Sequence, residues 1–355
     1  MGLDELRAQI DQTDRELVAL LNRRAELSLR VGESKRAQAG EAGALEIYQP
    51  AREAQVFAHI SERNTGPLSD ESLAAIYREI LSASRALQRP LRIGYLGPVA
   101  TFTYEAARRQ FGSGSSYLPC QTIADVFFEA EKQTVDYGVV PIENSTGGAV
   151  TFTLDQFLET DLKICAAIEL PITHNLLARG PLEKIERVYS HPQAFAQCRR
   201  WLAANVPSAT QIETASTSRA AQLIEDESAA AISTESASEI YHVPIVARGI
   251  QDDSKNVTRF LVIGQHQGKR TGQDRTAVVF GVHDRVGALQ DGLRHLAENH
   301  VNLTRIESRP SRRRLWEYVF FVDLDGHPED ERVANALAGL SQSCSFVRTL
   351  GAWPV

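Results

Sequence analysis

The chain reads as a multidomain protein built from three unlike parts: an all-α helical unit, an α/β unit and a small α+β unit. Three observations carry that reading. Roughly the first 90 residues hold long helical stretches with heptad-spaced apolar positions; from Leu91 the texture changes to short apolar runs between Gly/Pro turns; roughly the last 80 residues order themselves strand, helix, strand, strand, helix, strand. At 355 residues the chain is long enough for two or three domains, each burying its own core.

The first helix runs from Leu3 to about Arg36, with Leu3, Ile10, Leu17 and Val31 on one heptad stripe and Leu6, Thr13, Leu20 and Leu27 on the adjoining one. A helix of that length needs partner helices, including those of another chain. Ala37 to Ala44 reads as a mobile interhelical loop. A second helix spans about Pro50 to Arg63, and a third starts near Ser69, where Asp70 and Glu71 favour a helix N-terminus, and ends before Pro90. Arg24 sits on the stripe otherwise held by Leu3, Ile10, Leu17 and Val31, so a cation faces the interior and calls for an anion. The alternative is a snorkelling or salt-bridged structural residue. Lys35 lies nearly in line with Arg24, about 16 Å further along at 1.5 Å per residue. Arg7 is about 25 Å from Arg24 by the same rise, too far for one chain to close. An antiparallel partner helix could bring its Arg7 beside Arg24 and Lys35, which would make dimerisation a condition of activity.

In the α/β unit the strand candidates are Leu91 to Leu96, Val135 to Ile142, Lys163 to Ile168, Val188 to Ser190, Ala229 to Ser233 and Arg259 to Ile263. The segment Val139 to Gly148 reads as a strand ending in a binding loop, because Gly147 and Gly148 let the backbone turn and bring its N–H groups to a small anion. An ordinary strand-to-helix turn is the alternative. The stretch Gln265 to Asp274 is almost free of apolar residues and reads as a linker. Beyond it come a strand (Thr276 to Val282), helix (Gly287 to Asn299), strand (Asn302 to Ser308), strand (Trp316 to Asp323), helix (Glu329 to Leu340) and strand (Ser345 to Leu350). That βαββαβ order is the ferredoxin-like, split βαβ arrangement. The expected domains are residues 1–90, 91–268 and 274–355.

Composition narrows the chemistry. A net charge of −7 and pI near 5.8 give no basic footprint for nucleic acid, and no apolar run is long enough for a membrane. The charged N-terminus lacks the pattern of a signal peptide, so the expected medium is cytosol. Cys120, Cys165, Cys198 and Cys344 are scattered, the nine histidines show no paired-ligand spacing, and neither a dinucleotide fingerprint nor a Walker motif is present. The expectation is catalysis by side chains alone, with no cofactor and no metal.

Motifs sharpen this. Leu6-Arg7-x-x-Ile10-x-x-x-Asp14, Leu20-Leu21-x-x-Arg24, Val31-Gly32-x-x-Lys35, Pro50-x-Arg52-Glu53 and Ser84-x-x-x-Gln88 occur in the order of the all-helical chorismate mutases, which the first unit resembles. The resemblance implies that Arg24, Arg52 and the Arg7 of a second subunit bind the two carboxylates of chorismate. It assigns Lys35 and Gln88 to the ether oxygen, and Glu53 and Ser84 to the hydroxyl or the helix backbone. The rearrangement to prephenate is pericyclic and needs only a compact conformer and stabilisation of charge at the ether oxygen. A millionfold acceleration asks for about 8 kcal/mol of differential stabilisation.

Residues 91 to about 265 resemble prephenate dehydratase, on Tyr95-Leu96-Gly97-Pro98-x-x-Thr101-Phe102-Thr103, Pro141-Ile142-Glu143-Asn144, Ser190-His191-Pro192-Gln193-x-x-x-Gln197-Cys198, Ser216-Thr217-Ser218 and Thr258-Arg259-Phe260. The implied fold is two α/β subdomains around a cleft, like a periplasmic binding protein. On this resemblance Thr258 donates to the leaving hydroxyl and Arg259 sets its surroundings. Asn144, Ser145, Thr146, Thr217 and Ser218 hold the carboxylates, Glu143 and Gln197 orient the site, and Thr101 and Phe260 complete the binding set. Gln193 and Gln197 stand one helical turn apart and can face one cleft. Each has a plainer alternative: Thr258 as a β-branched strand residue, Thr217-Ser218 as helix caps, His191 as a structural residue at a helix start.

In the last unit Gly287-Ala288-Leu289 and Glu307-Ser308-Arg309-Pro310 resemble the two phenylalanine-binding motifs of an ACT regulatory domain. The whole therefore resembles the bifunctional chorismate mutase/prephenate dehydratases (P-proteins): an isomerase and a lyase of phenylalanine biosynthesis, inhibited by L-phenylalanine, working as a homodimer or higher homo-oligomer. Two rival readings stand beside it, an arogenate dehydratase and a non-catalytic amino-acid-sensing binding protein.

Overall fold

The computed structural model describes residues 2–39, 47–311 and 318–355. They form two compact units, Met1–Leu91 with Phe111–Ser116, and Arg92–Gln110 with Tyr117–Val355. Among them no helix is long and apolar enough to cross a membrane.

The first unit is built on helices α1 (Leu3–Ala39), α2 (Pro50–Arg63) and α3 (Asp70–Gln88). Helix α1 runs past Arg36, since Ala37, Gln38 and Ala39 are good helix formers. The expected loop does not begin before residue 40, and its remainder, 40–44, lies outside the described residues. Pro50 opens α2, where its missing N–H costs nothing, and the Ser69 hydroxyl caps α3 by accepting from the Ser72 N–H at 3.2 Å. Helix α1 lies on α3 through Leu21, Arg24, Ala25, Ser28, Leu29, Gly32 and Lys35, a sequence of i, i+3 and i+4 steps. A Cβ at Gly32 would lie 2.9 Å from the Gln88 Oε1, so glycine sets how closely the helices approach. By contrast the expected apolar stripe is bare in a single chain: Leu3 is 64% exposed, Ile10 60% and Leu20 62%.

The second unit carries two sheets. The smaller has strand order Ile245–Ala247, Asn175–Ala178, Ala229–Ser233, Arg187–Ser190, Thr210–Glu213. The larger runs from Leu303–Pro310 through Tyr318–Asp325, Asp274–Gly281, Phe346–Pro354, Lys163–Pro171, Val257–Gly264 and Tyr137–Asn144 to Arg92–Leu96 and Ser116–Cys120. The chain leaves the larger sheet by residues 172–174 and returns by residues 248–256. Hydrogen bonds tie these crossovers together, from Ile172 N–H to the Asn256 carbonyl and from Ile250 N–H to the His174 carbonyl, both 2.8 Å.

The C-terminal elements follow the βαββαβ order, with helices at Ala288–Glu298 and Glu331–Ser343. Their strands continue the larger sheet, because Phe346–Pro354 runs parallel to Lys163–Pro171 with Gly351 opposite Ile164. One core therefore spans both parts, with Phe127, Phe157 and Ile164 packed together with Val279, Phe321 and Trp353. The stretch read as a linker is bound down: the Gly268 N–H donates to the Ala352 carbonyl at 2.8 Å, and Gln265 Nε2 to the Ala130 carbonyl at 3.1 Å. Five strands escaped the sequence reading: Ser116–Cys120, the two-residue Gly148–Ala149, Asn175–Ala178, Thr210–Glu213 and Ile245–Ala247.

The junction rests on a glycine. Gly351 has φ +152°, and a Cβ there would lie 2.2 Å from the Ile164 carbonyl oxygen, a backbone atom that cannot move aside. Gly351→Ala is expected to cost at least about 3 kcal/mol and to part the two halves of the sheet. Urea denaturation followed by tryptophan fluorescence checks this, since Trp353 lies beside the junction.

Candidate active sites

In the second unit a cleft of about 310 Å³ opens where the crossovers pass between the sheets, a size suited to a small molecule. Of the residues expected in a site, Thr101, Asn144, Gln193, Gln197, Thr217 and Thr258 line it, together with His191, His174 and Phe102. His191 also caps the helix Pro192–Gln197, its Nδ1 accepting from the Gln193 N–H at 3.3 Å.

Strand pairing sets the centre. In the antiparallel register Thr258 stands opposite Asn144 and Arg259 opposite Glu143. Asn144 is oriented without ambiguity, because its Oδ1 accepts from the backbone N–H groups of Thr146 (3.1 Å) and Gly147 (2.8 Å), which can only donate. Its Nδ2 must then face the other way, donating to Thr258 Oγ1 and Asn256 Oδ1, each at 2.8 Å. Since Thr258 Oγ1 is an acceptor in that bond, its own proton is left to donate elsewhere. The Thr146 hydroxyl donates to Asn144 Oδ1 at 2.7 Å and accepts from Gln197 Nε2 at 3.1 Å. Gln197 Oε1 in turn lies 2.7 Å from Nε2 of His174, whose burial lowers its proton affinity below that of a free imidazole although the Gln197 bond opposes this.

Several expected residues stand elsewhere. The loop after Asn144 does not offer the N–H groups of Thr146 and Gly147 to a ligand, because Asn144 has taken them in an Asx turn. Ser145 ties the loop to its neighbour, its Oγ accepting from the Val257 N–H at 3.0 Å. Ser218 is buried and bonds to the Val99 carbonyl and, at 3.0 Å, to the Tyr241 hydroxyl. Phe260 is a core side chain at 2% exposure. Glu143 and Arg259 pair with each other at 3.5 Å; Glu143 also meets Arg305 at 3.2 Å, and Arg259 meets Glu169 at 3.0 Å and Asp323 at 3.8 Å. Strand alternation explains the place of Glu143 and Arg259, since the residues next to Asn144 and Thr258 along their strands must point to the other face. His174 and Asn256 were missed because a lone His or Asn between strands carries no spacing signature.

In the helical unit Arg24 Nη1 donates to the buried Ser84 Oγ at 2.7 Å, and Ser84 donates to the Ile80 carbonyl at 2.7 Å. Gln88 Nε2 donates to the Ser28 hydroxyl at 3.2 Å, while its buried Oε1 has no hydrogen-bond partner among the described residues. Glu53 pairs with buried Arg85, and burial raises its pKa against the pull of Arg85 and Arg24. Arg85 was missed, although it follows Leu81 by one helical turn. Arg52 is exposed, bonds to Gln55 at 3.2 Å and borders a groove with His59 and Arg63. Arg7 is exposed beside Asp4 at 3.6 Å, far along the unbroken helix from Arg24. Lys35 is half-buried.

The proposed effector motifs also have positions. Gly287, at φ +80°, precedes the helix Ala288–Glu298, and the Ala288 N–H is already spent on the Arg285 carbonyl at 3.2 Å. Glu307–Pro310 end a strand at the sheet's edge. Arg309 forms a fork with Asp155 at 3.0–3.1 Å.

Two predictions follow from the cleft. Asn144→Asp replaces the donor facing Thr258 by an acceptor, so the Thr258 proton turns inward. Turnover in the cleft should fall at least about 100-fold, while the helical unit keeps its activity. The second concerns pH. Because His174 binds a proton less readily folded than unfolded, it contributes stability above pH 6.5 that is lost as pH falls below 6.5 toward the folded value. Thermal melts from pH 7 to pH 5 should show His174→Gln losing less stability than the parent.

Family models match the chain in succession: chorismate mutase type II over residues 6–89, prephenate dehydratase over residues 93–268 and the ACT domain over residues 276–342. The bifunctional chorismate mutase/prephenate dehydratase of Aquifex aeolicus is 48% identical over 358 residues, covering 99% of this chain and 98% of that one. Its counterpart from Neisseria gonorrhoeae is 42% identical over 361 residues, with coverage of 99% and 98%. Among solved structures, the prephenate dehydratase of Arthrobacter aurescens in complex with L-Phe matches 75% of this chain and 90% of its own at 36% identity, with a TM-score of 0.69. With a helical N-terminal unit, an α/β unit and a C-terminal ACT domain, the chain belongs to the bifunctional chorismate mutase/prephenate dehydratase family.

Proposed function

We propose that the helical unit converts chorismate to prephenate and that the cleft converts prephenate to phenylpyruvate, with phenylalanine restraining the second step. The observation that carries the dehydratase assignment is the Thr258 hydroxyl, which accepts from Asn144 and so keeps its proton for the cleft. Prephenate must lose hydroxide from one end of its ring and CO2 from the other, taking up one proton to make water. Thr258 donates to the departing oxygen as its bond to carbon breaks and the carboxylate's bonding pair moves into the ring. Thr101, Thr217 and Gln193 are placed to hold the substrate, and Gln197 and Thr146 hold Asn144. Glu143 and Arg259 support the site from behind the strand. Neither reaction calls for a cofactor or metal.

In the mutase unit Arg24, Lys35 and Gln88 are assigned to chorismate, with Ser84 holding the Arg24 guanidinium and Glu53 holding Arg85. Arg7 is assigned to the site of a partner subunit. The bare stripe of α1 supports that assignment: apolar side chains half exposed or more, from Leu3 to Val31, make a surface for a second copy. The reading extends to three domains of the expected bounds, a solute-binding-protein-like dehydratase unit, a ferredoxin-like ACT unit and a cytosolic location in which four buried free thiols stay reduced. Phenylalanine is assigned to Gly287, Ala288, Leu289, Glu307, Ser308, Arg309 and Pro310, at an edge strand that a second copy can cover.

Supplying chorismate and following prephenate and phenylpyruvate, with and without phenylalanine, tests both activities and the inhibition. Absence of either product ends the corresponding assignment, and arogenate offered in parallel decides the substrate. Arg7→Ala and Arg24→Ala proteins should each be inactive as mutases. Unfolded and refolded together in equal amounts, they should recover about a quarter of parental activity, because half the dimers then hold one intact site of two. No recovery would place Arg7 outside the site.

A further inference from the structure

His174 stands on the outgoing crossover, and its backbone is fixed from the returning one: its N–H donates to Gln251 Oε1 at 3.0 Å and its carbonyl accepts from the Ile250 N–H at 2.8 Å. The side chain is 2% exposed, meets Phe102 edge-on with ring centroids 5.4 Å apart, and forms part of the cleft wall. Nε2 lies 2.7 Å from Gln197 Oε1, while Nδ1 has no hydrogen-bond partner among the described residues.

The direction of each bond can be worked out from the backbone. Asn144 Oδ1 only accepts, so the Thr146 hydroxyl must donate its single proton there. Gln197 therefore presents its NH₂ group to Thr146 and its carbonyl to His174. A carbonyl oxygen requires a donor, so the proton of the neutral imidazole sits on Nε2 and Nδ1 is bare. From this we infer that His174 is a positioning residue for the dehydratase reaction. It heads a chain in which every group donates to the next, from His174 to Gln197, Thr146, Asn144 and Thr258, and which leaves the Thr258 proton directed at substrate. Such aligned bonds polarise one another, so the first donor affects the last. The other tautomer, with the proton on Nδ1 and Nε2 bare, would set two lone pairs against each other at Gln197, free that side chain to turn and release Thr146.

The inference rests on the reading of Thr258 as donor, so the full-length protein is assayed with prephenate in four forms: parent, Thr258→Val, His174→Leu and His174→Gln. Near-UV circular dichroism and thermal melts of the same chains serve as the control for folding of the second unit. His174→Leu should lower kcat about 30-fold with KM changed less than about threefold, since it alters positioning more than binding. His174→Gln, which keeps an N–H near the Nε2 position, should return kcat to within about fivefold of the parent. Adding Gln197→Leu to His174→Leu should cost little more, because the chain is already cut. Histidine ¹⁵N spectra of the parent should show one imidazole with Nε2 protonated and Nδ1 bare across neutral pH. Full turnover by Thr258→Val would overturn the donor reading and this inference with it. Loss of turnover in Thr258→Val beside a normal kcat in His174→Leu would overturn the inference alone. So would a Gln variant as impaired as the Leu variant, or an Nδ1–H tautomer, which remains decisive if His174→Leu fails to fold.

Discussion

The pairing of Val257–Gly264 with Tyr137–Asn144 is the constraint from which both faces of the second unit follow. Strand side chains alternate, so the register that opposes Thr258 to Asn144 must oppose Arg259 to Glu143 on the other face. One pair faces the cleft and the other faces charged strands of the ACT unit. The ladder slips between Arg259 and Phe260, where Phe260 meets Pro141. Proline has no N–H for the ladder and inside a sheet belongs at such bulges. Its carbonyl is used sideways, accepting from the Thr153 hydroxyl at 2.6 Å. A bulge beside a site re-aims its neighbours, here the pair that faces the cleft and the pair that faces the ACT strands.

Behind the strand the charges compensate one another. Glu143 lies between Arg259 and Arg305, and Asp323 is pushed toward its neutral form by burial, against the opposing pull of Arg305, Arg259 and Arg275. Asp323 and Arg305 are the buried members, and removing one of these leaves its neighbours uncompensated at about 3–5 kcal/mol, whereas the part-exposed Glu143–Arg259 pair is screened by solvent and contributes less. The ACT strands are therefore bound to the dehydratase sheet by the requirement that these groups stay paired, as well as by the shared core around Phe157 and Trp353. Arg309, in the proposed effector motif, reaches Asp155 of the same sheet's covering helix. Arg305 of the same strand, Leu303–Pro310, meets Glu143 of the dehydratase sheet at 3.2 Å.

Much of this was legible in the sequence. The three helices of the first unit came from heptad spacing and caps, and the order of the last unit from alternating runs separated by turns. The strands that escaped notice did so for identifiable reasons. Ser116–Cys120 is largely exposed and interrupted by Pro119, Thr210–Glu213 is largely exposed with Ile212 its one apolar residue, and Asn175–Ala178 is wholly buried and too short to show a period. Motifs read as blocks come apart in the structure. Asn144 and Ser145, Thr217 and Ser218, and Thr258, Arg259 and Phe260 are adjacent in sequence, but of each run only Asn144, Thr217 and Thr258 line the cleft. Long-range partners such as Glu53 with Arg85, or Gln197 with His174, leave no trace in one sequence because nothing in either residue's surroundings names the other.

The two sites differ in charge for a reason found in their chemistry. Around Arg24 the helical unit gathers cations, which suits a rearrangement in which both carboxylates survive and charge builds on an ether oxygen. The polar side chains of the cleft wall are instead hydroxyls, amides and two histidines, burial disfavours the charged form of His174, and Arg259 turns its guanidinium to the opposite face. On the proposed reading, one carboxylate of prephenate must surrender its charge to leave as CO2. A guanidinium clamped on that group would stabilise the starting state more than the transition state and slow the reaction. Neutral donors can hold the dianion in place without that penalty, and the donor that counts is the one facing the departing hydroxide. Its direction is fixed by Asn144, whose own orientation is dictated by two backbone N–H groups of the loop that follows it.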